Sequence, residues 1–235
     1  MTAREILAEL EPLGSESYRE TMARHGVRRP CFGVKISDLQ KMRKRIGTDY
    51  ELALALYDTG VYDAMYLAGL IADDARMTKA DLRSWVSRAE GGGLPGTTVA
   101  SVAAGSAFGR PLALEWIGST KDFVAVAGWA TLSCLVSVKP DAELDLAELE
   151  ALLGRVERTI HKSPNDVRYA MNGFVIAVGS FVRPLTAVAL QTAEKIGPVQ
   201  VDVGETACEV PFAPDYIRKV EASGSLGKKR KSAKC

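Results

Sequence analysis

The sequence predicts an all-α protein, an α-solenoid of stacked helical hairpins, and three observations support this fold class. Leucine, alanine and methionine recur at the roughly 3.6-residue period of an amphipathic helix along most of the 235 residues. No segment alternates polar and apolar residues as a paired strand does, and the short stretch PVQVDVG is interpreted as an extended linker. A hairpin motif also recurs three times along the chain.

The apolar period, with glycine and proline as breaks, predicts thirteen helices. They cover residues 3–11, 15–26, 37–46, 49–59, 62–73, 78–90, 97–108, 110–118, 121–138, 145–160, 165–180, 185–196 and 213–223. In the third helix, Ser37 is predicted to be the N-cap and Gly47 to end the helix.

The recurring hairpin motif predicts how these helices stack. Residues 57–70, YDTGVYDAMYLAGL, align without gaps with residues 116–129, WIGSTKDFVAVAGW, and more faintly with residues 160–173, IHKSPNDVRYAMNG. Such repeats are typical of a solenoid of the HEAT kind, so about three antiparallel pairs are expected in residues 48–196, with the second helices lining a concave face. Each second helix begins near an aspartate whose charge favours the helix dipole, namely Asp63, Asp122 or Asp166, and capping is expected of Asp122 and Asp166.

The composition predicts a cytoplasmic protein without cofactor or metal. Hydrophobic residues make up 47% and charged residues 25% of the chain, and no apolar run reaches the roughly 18 residues of a membrane span. The N-terminus lacks the apolar stretch of a secretory signal. The four cysteines form no CxxC motif and lie near no histidine at zinc-ligand spacing; Cys134 is assigned to the core, while Cys208 and Cys235 stay open as a metal, redox or disulfide pair.

The net charge of +1 hides two basic segments on an acidic body. Residues 19–45 carry nine lysines or arginines against two acids, and residues 228–235, KKRKSAKC, carry five against none. Residues 46–227 carry 15 basic and 23 acidic residues. The expected organisation is one domain, residues 1–227, followed by a basic tail, residues 228–235. Such a tail suits a polyanion such as DNA, although a merely solvated end is the alternative.

Within the first basic segment, the third predicted helix has the most regular spacing of apolar and basic residues. Its apolar residues share one face, which leaves Lys41, Lys44 and Arg45 together on the opposite face. Such a face suits phosphates, since each contact releases counterions, although a solvated helix face explains it equally well.

Several stretches resemble the DNA alkylation repair family, the HEAT-like-repeat relatives of the AlkD alkylpurine DNA glycosylase. They are YRETMARHGVRRPCFGVKISDLQKM, the three hairpins, VRYAMNGFVIAVGSFV and the terminal VDVGETACEVPFAPDYIRKVEASGSLGKKRKSAKC, and the similarity runs from about residue 15 to the end. The resemblance implies a C-shaped solenoid whose basic concave groove holds duplex DNA. In active members it also implies release of alkylated purines without flipping the base into a pocket.

The residues that carry this reaction in the family are missing at the matching positions. The family's stretch of two aromatics followed by Asp-x-x-Asp matches LPGTTVASVAA, which places the catalytic aspartate on Ala100 and the key indole on Gly96. A second family tryptophan matches Phe174, while two arginines fall on Ala177 and near Gly128. Because residues 91–108 contain no Asp or Glu, no shift of register restores the carboxylate, and no catalytic residue is predicted.

A carboxylate from elsewhere would have to replace it in an active glycosylase. Asp122, Asp166 and Glu115, beside Trp116, are the candidates, but capping explains the two aspartates better. Trp116 and Trp129, at helical spacing, are likewise expected in the core rather than stacked on a nucleoside.

Three hypotheses follow for the function. The first is a family member that binds damaged or distorted duplex DNA through backbone contacts, as a monomer, with weak or absent glycosylase activity. The second is an active glycosylase on N3- or N7-alkylpurines with a rearranged site, and the third is a helical scaffold for a protein partner. The candidate DNA-binding residues are Lys35, Lys41, Lys44, Arg45, Arg168, Phe174, Lys228, Lys229, Arg230 and Lys231.

Overall fold

The computed structural model describes residues 1–234, which form thirteen α-helices and no strand. The helices are α1 Ala3–Leu10, α2 Glu16–Arg24, α3 Ile36–Ile46, α4 Tyr50–Asp58, α5 Tyr62–Ile71, α6 Lys79–Ser87, α7 Ala100–Gly105, α8 Gly109–Trp116, α9 Asp122–Val138, α10 Leu146–Thr159, α11 Asn165–Phe181, α12 Thr186–Ile196 and α13 Ala213–Ala222. Every predicted helix is present, with each end within three residues of its expected place. PVQVDVG is extended, as expected.

The helices stack as antiparallel pairs in two layers, which confirms the predicted HEAT-like solenoid with a concave inner face. An outer layer of α4, α6, α8, α10 and α12 covers an inner layer of α5, α7, α9, α11 and α13, and α3 extends the inner layer by packing on α5. Residues 48–196 thus hold the three pairs of the sequence repeat and a further pair, α6 with α7, which carries no copy of the repeat and in which α6 packs mainly against the turn before α7 and against α9.

The α6–α7 pair departs from the repeat because its second helix starts irregularly. A π-helical turn, Pro95–Val99, precedes α7, with the amide of Val99 bonded to the carbonyl of Leu94 at 2.9 Å. Proline has no amide hydrogen to donate, and a neighbouring glycine weakens a regular helix further. The continuous helix predicted for residues 97–108 is therefore a short helix behind a distorted turn.

Small residues in the inner helices allow close packing. A Cβ on Gly69 would lie 2.6 Å from the Thr98 side chain, and one on Gly128 would lie 2.7 Å from the amide nitrogen of Ile117. Both distances are shorter than real Cβ contacts, so each position accommodates only glycine without movement of its neighbours.

Two apolar clusters fill the space between the layers, one in each half of the chain. Trp85 stacks on Tyr57 with ring centroids 4.1 Å apart, and Trp129 meets Phe174 at 5.2 Å. Trp116 and Trp129 are buried, in agreement with a core role. No single helix among the described residues has both the length and the apolar composition to cross a membrane; α11 and α12 meet the criteria only together, across a bend of 112°.

Candidate nucleic-acid interface

The C-terminal ends of inner helices α5, α9 and α11 lie along one edge of the solenoid, here called the C-terminal edge, because one short segment contacts all three. Residues 227–234 follow this edge. The amide of Gly227 bonds to Ser180 O at the end of α11, and the amide of Arg230 bonds to Ser137 O at the end of α9, both at 2.8 Å. The ammonium of Lys234 then reaches Ala72 O, just after α5, at 2.7 Å. The tail therefore crosses from the third sequence repeat back to the first.

Helix α3 joins the same edge. The amide of Val34, before α3, bonds to Asp63 at the start of α5, while the amide of Asp49, after α3, bonds to Ile71 O at the end of α5 at 2.8 Å. The residue before α3 thus contacts the start of α5, and the connection after α3 contacts the end of α5, so the two helices run parallel. The basic C-terminal turn of α3 therefore lies next to Ala72 O, which the tail reaches.

Asp63 fixes the approach to α3. Its side chain is fully buried and accepts the amide of Phe32 at 2.6 Å and the amide of Val34 at 2.8 Å. Sequence reasoning treated Asp63 as equivalent to Asp122 and Asp166. Both of these are exposed, and neither caps its helix by a hydrogen bond, since helices α9 and α11 have no side-chain cap. The capping prediction is wrong for Asp122 and Asp166, although all three aspartates lie in a first turn, which favours negative charge.

The predicted basic face of α3 is exposed. Lys41 forms an ion pair with Asp38 at 2.7 Å, and Arg45 forms one with Glu9 of α1. Both pairs are solvent-accessible, so they hold the cations weakly. Lys35 and Lys44 are exposed and have no ion pair with any residue in 1–234. The N-cap position belongs to Lys35, which corrects the prediction for Ser37, a residue inside the first turn.

The tail is docked more firmly than its composition suggests. Lys229 lies 2.7 Å from Asp141 Oδ1 and donates to Val136 O at 2.8 Å. Lys234 lies 2.7 Å from Asp74 Oδ1, an ion contact, while its aligned hydrogen bond goes to Ala72 O. Only 19% and 9% of these two side chains are exposed. The alternative of a merely solvated end is therefore wrong for Lys229 and Lys234.

The other tail cations face outward. Lys228, Arg230 and Lys231 are exposed, and the Arg230 guanidinium lies 5.6 Å from the ring centroid of Phe181. Lys229, by contrast, has its ammonium directed inward, so it is corrected from a candidate DNA contact to an anchor. Cys208 is exposed. Its predicted link to Cys235 is not described by the structure, because Cys235 lies outside the described residues.

Burial changes the electrostatics of Asp74, the carboxylate beside Lys234. Desolvation raises the pKa of the Asp74 carboxyl, and the neighbouring ammonium of Lys234 opposes the shift. The tail thus supplies the positive charge that a carboxylate in this position needs.

Two candidate DNA contacts on α11 are less favourable. Phe174 has no exposed surface and packs against Trp129, so its ring does not reach a groove. This corrects its assignment as a DNA contact. Arg168 is half-buried; its Nη2 lies 3.5 Å from Asn165 Oδ1, and its buried Nε has no partner in residues 1–234.

The positions matched to the family's catalytic residues are apolar. Ala100 has no exposed surface, so a side chain there faces the core. Gly96 is half-buried beside the inner face of α9, where an added Cβ would lie 3.7 Å from Val126 and 3.9 Å from Ala130. Glu115, a possible substitute carboxylate, lies on outer helix α8 and pairs with Arg83 at 2.6 Å.

No metal or redox centre is evident in residues 1–234. No three His, Cys, Asp or Glu side chains converge there, and no disulfide joins the described cysteines. Cys134, assigned to the core from the sequence, is half-buried on α9.

Relatives align with the chain over nearly its whole length. The uncharacterised proteins Lin0241 of Listeria innocua and Lmo0209 of Listeria monocytogenes are each 30% identical over 224 residues, which is 93% of this chain and 97% of the relative.

A solved structure also matches the complete chain, with 33% identity, a TM-score of 0.91 and full coverage of both chains. It is described as "A new family of proteins related to the HEAT-like repeat DNA glycosylases with affinity for branched DNA structures". The family model for the DNA alkylation repair enzyme matches residues 6–198. With the helical pairs, the inner face and these alignments in agreement, the chain belongs to the DNA alkylation repair enzyme family.

Proposed function

We propose that the protein binds branched or otherwise distorted DNA through the phosphate backbone, with glycosylase activity weak or absent. The observation that carries the proposal is that Ala100, at the position matched to the family's catalytic aspartate, is fully buried in the core. Loss of a cationic alkylpurine leaves an oxocarbenium-like sugar, which needs a nearby carboxylate for stabilisation and for orienting water. A buried methyl group supplies neither.

The charge distribution supports backbone recognition. Exposed cations cluster at α3 (Lys35, Lys41, Lys44 and Arg45) and on the tail (Lys228, Arg230 and Lys231), where they suit phosphates rather than base edges. Binding of this kind is independent of base sequence and falls steeply with salt, because each neutralised phosphate releases counterions.

The similarity to a protein with affinity for branched DNA structures supports the choice of ligand. A branch point presents several duplex arms at angles that linear duplex does not offer. A rigid C-shaped solenoid with basic surfaces at defined positions discriminates by such geometry, without contacts that read individual bases.

We further propose that the protein acts as a cytoplasmic monomer without cofactor, with residues 1–227 as one domain and residues 228–235 as its basic tail. Light scattering on and off DNA tests the monomeric state.

Two assays test the function. Fluorescence anisotropy with a four-way junction, a three-way junction and a linear duplex of matched arm sequence measures affinity over a series of salt concentrations. Release of methylated bases from alkylated DNA, scored against DNA incubated without protein, measures glycosylase activity.

We expect tighter binding to the junctions, a steep salt slope and no base release above the background. Efficient base release would favour the active-glycosylase alternative. Salt-independent or absent binding to all three DNAs would favour a scaffold for a protein partner.

A further inference from the structure

We propose that residues 228–234 of the tail act as a strap along the C-terminal edge. The strap and α3 together form one continuous phosphate-binding strip. The proposal rests on the proposed DNA-binding function and adds where one duplex arm lies and which tail residues hold it. The strap divides its cations into anchors, Lys229 and Lys234, and an outward set, Lys228, Arg230 and Lys231.

The anchors bind where helices leave acceptors unused. The last four carbonyls of an α-helix lack intrahelical partners, and the helix end carries partial negative charge. Lys229 takes Val136 O in the last turn of α9, and Lys234 takes Ala72 O at the C-cap of α5. Asp141 and Asp74 lie beside these carbonyls and complete each ammonium site.

Backbone contacts fix the outward set as well. The amide of Gly227 is bonded to the end of α11, and the amide of Arg230 is bonded to the end of α9. Lys228 lies between these two bonds and Lys231 follows the second, so the backbone of all three outward cations has a defined position. The side chain of Arg183, next to α11, also donates to Leu226 O at 2.9 Å. A cation held in place loses less conformational entropy on binding a phosphate than one on a free tail.

The strap ends beside the basic turn of α3. Lys234 occupies Ala72 O, and the preceding carbonyl, Ile71 O, is taken by the amide of Asp49 in the connection after α3. Lys44 and Arg45 lie in the last turn of α3. Two basic segments that are almost 190 residues apart in sequence thus become neighbours on one surface.

The length of the strip suits one duplex arm. It crosses the ends of α11, α9, α7, α5 and α3, and packed helices lie about 8–10 Å apart, so it extends over roughly 32–40 Å. One turn of B-DNA covers about the same distance.

Four acids near the strip have cationic partners, whereas Asp73, next to the Lys234 site, has no ion pair with any residue in 1–234. Asp74 and Asp141 pair with the anchors, Glu143 pairs with Lys139 at 3.3 Å, and Glu148 pairs with Arg110 at 2.6 Å. The outward set therefore faces a phosphate backbone without an equal number of unpaired carboxylates beside it.

Three variants test the strip with the four-way junction as probe. The first neutralises the outward set (Lys228→Gln, Arg230→Gln, Lys231→Gln), and the second removes the anchors (Lys229→Met, Lys234→Met). The control neutralises three exposed outer-layer cations (Arg83→Gln, Arg158→Gln, Lys195→Gln), which matches the first variant in charge. Circular dichroism and thermal unfolding confirm that each variant is folded at the assay temperature.

We expect the outward variant to bind several-fold more weakly at low salt, with a salt slope smaller by about two to three units. The anchor variant should lose affinity comparably although its outward cations remain, because they are no longer held in line. The control should bind nearly as the wild type does.

A flexible polycationic tail makes the opposite prediction for the anchor variant, namely affinity equal to or above that of the wild type. Either that result or an unchanged outward variant would overturn the strip. If the anchor variant does not fold, the outward variant against its control still decides the matter. Failure of the wild type to bind any of the DNAs would instead count against the proposed function itself.

Discussion

The buried carboxylate of Asp63 accepts the backbone amide of Val34 at 2.8 Å and thereby fixes the segment that leads into the basic helix α3. The two residues are 29 positions apart, and the second oxygen of the same carboxylate holds the amide of Phe32. A position that looks like an ordinary helix start in the sequence repeat is thus the attachment point of α3, one half of the proposed DNA-binding surface.

Asp63→Asn should destabilise the protein by about 2–3 kcal/mol, because a charge-assisted acceptor of two buried amides is replaced by a neutral group with only one oxygen. Urea unfolding measures the loss. Asp122→Asn is the matched control, since Asp122 occupies the equivalent repeat position but is exposed. Equal free energies of unfolding for Asp63→Asn and the wild type would contradict the role of Asp63.

Deletion of the chain after Gly227 should lower the free energy of unfolding by about 2 kcal/mol and the Tm by about 4–8 °C, because the ammonium contacts of Lys229 and Lys234 are lost. The full-length outward variant described above keeps both anchors and should retain the wild-type Tm. An unchanged Tm on deletion would show that the anchors contribute no stability.

Ala100→Asp should not create a glycosylase and should cost about 3–5 kcal/mol, because it places an unpaired carboxylate in the core. Gly96→Ala is its control. The added methyl group makes only ordinary contacts with Val126 and Ala130, and the backbone is outside the left-handed region, so stability should be kept. Thermal unfolding and base release are measured together, and a stable Ala100→Asp protein that releases methylated bases would refute the assignment of this face.

Neutralising Lys41, Lys44 and Arg45 to Gln should weaken junction and duplex binding independently of sequence and reduce the salt slope by about two to three units. The ion pairs of Lys41 and Arg45 are solvent-accessible and are expected to open for a phosphate. The outer-layer triple described above is the matched control. Identical salt slopes for the wild type and the α3 variant would remove α3 from the interface.

The helices were predictable because each has a local cause in the sequence: an apolar period and a nearby glycine or proline. The repeat also located the inner helices α5, α9 and α11 correctly. It missed the α6–α7 pair, whose second helix begins with a proline-glycine turn that breaks the pattern.

The tail and the aspartates were not predictable in the same way. The partners of Lys229 and Lys234 include backbone carbonyls 93 and 162 residues away, and a carbonyl leaves no mark in the sequence. Asp63, Asp122 and Asp166 share a local pattern but differ in what covers them, which only the tertiary structure decides. Phe174 likewise satisfies an alignment while its ring packs in the core.

The most direct test of the central claim is a competition measurement near physiological salt. A labelled four-way junction bound to the wild-type protein is displaced by unlabelled junction or by unlabelled linear duplex of the same arm sequence, and methylated-base release is scored in the same samples. The account predicts that junction competes at a severalfold lower concentration than duplex and that no base is released above background. Equal competition by the two DNAs, or base release that grows with protein concentration, would contradict it.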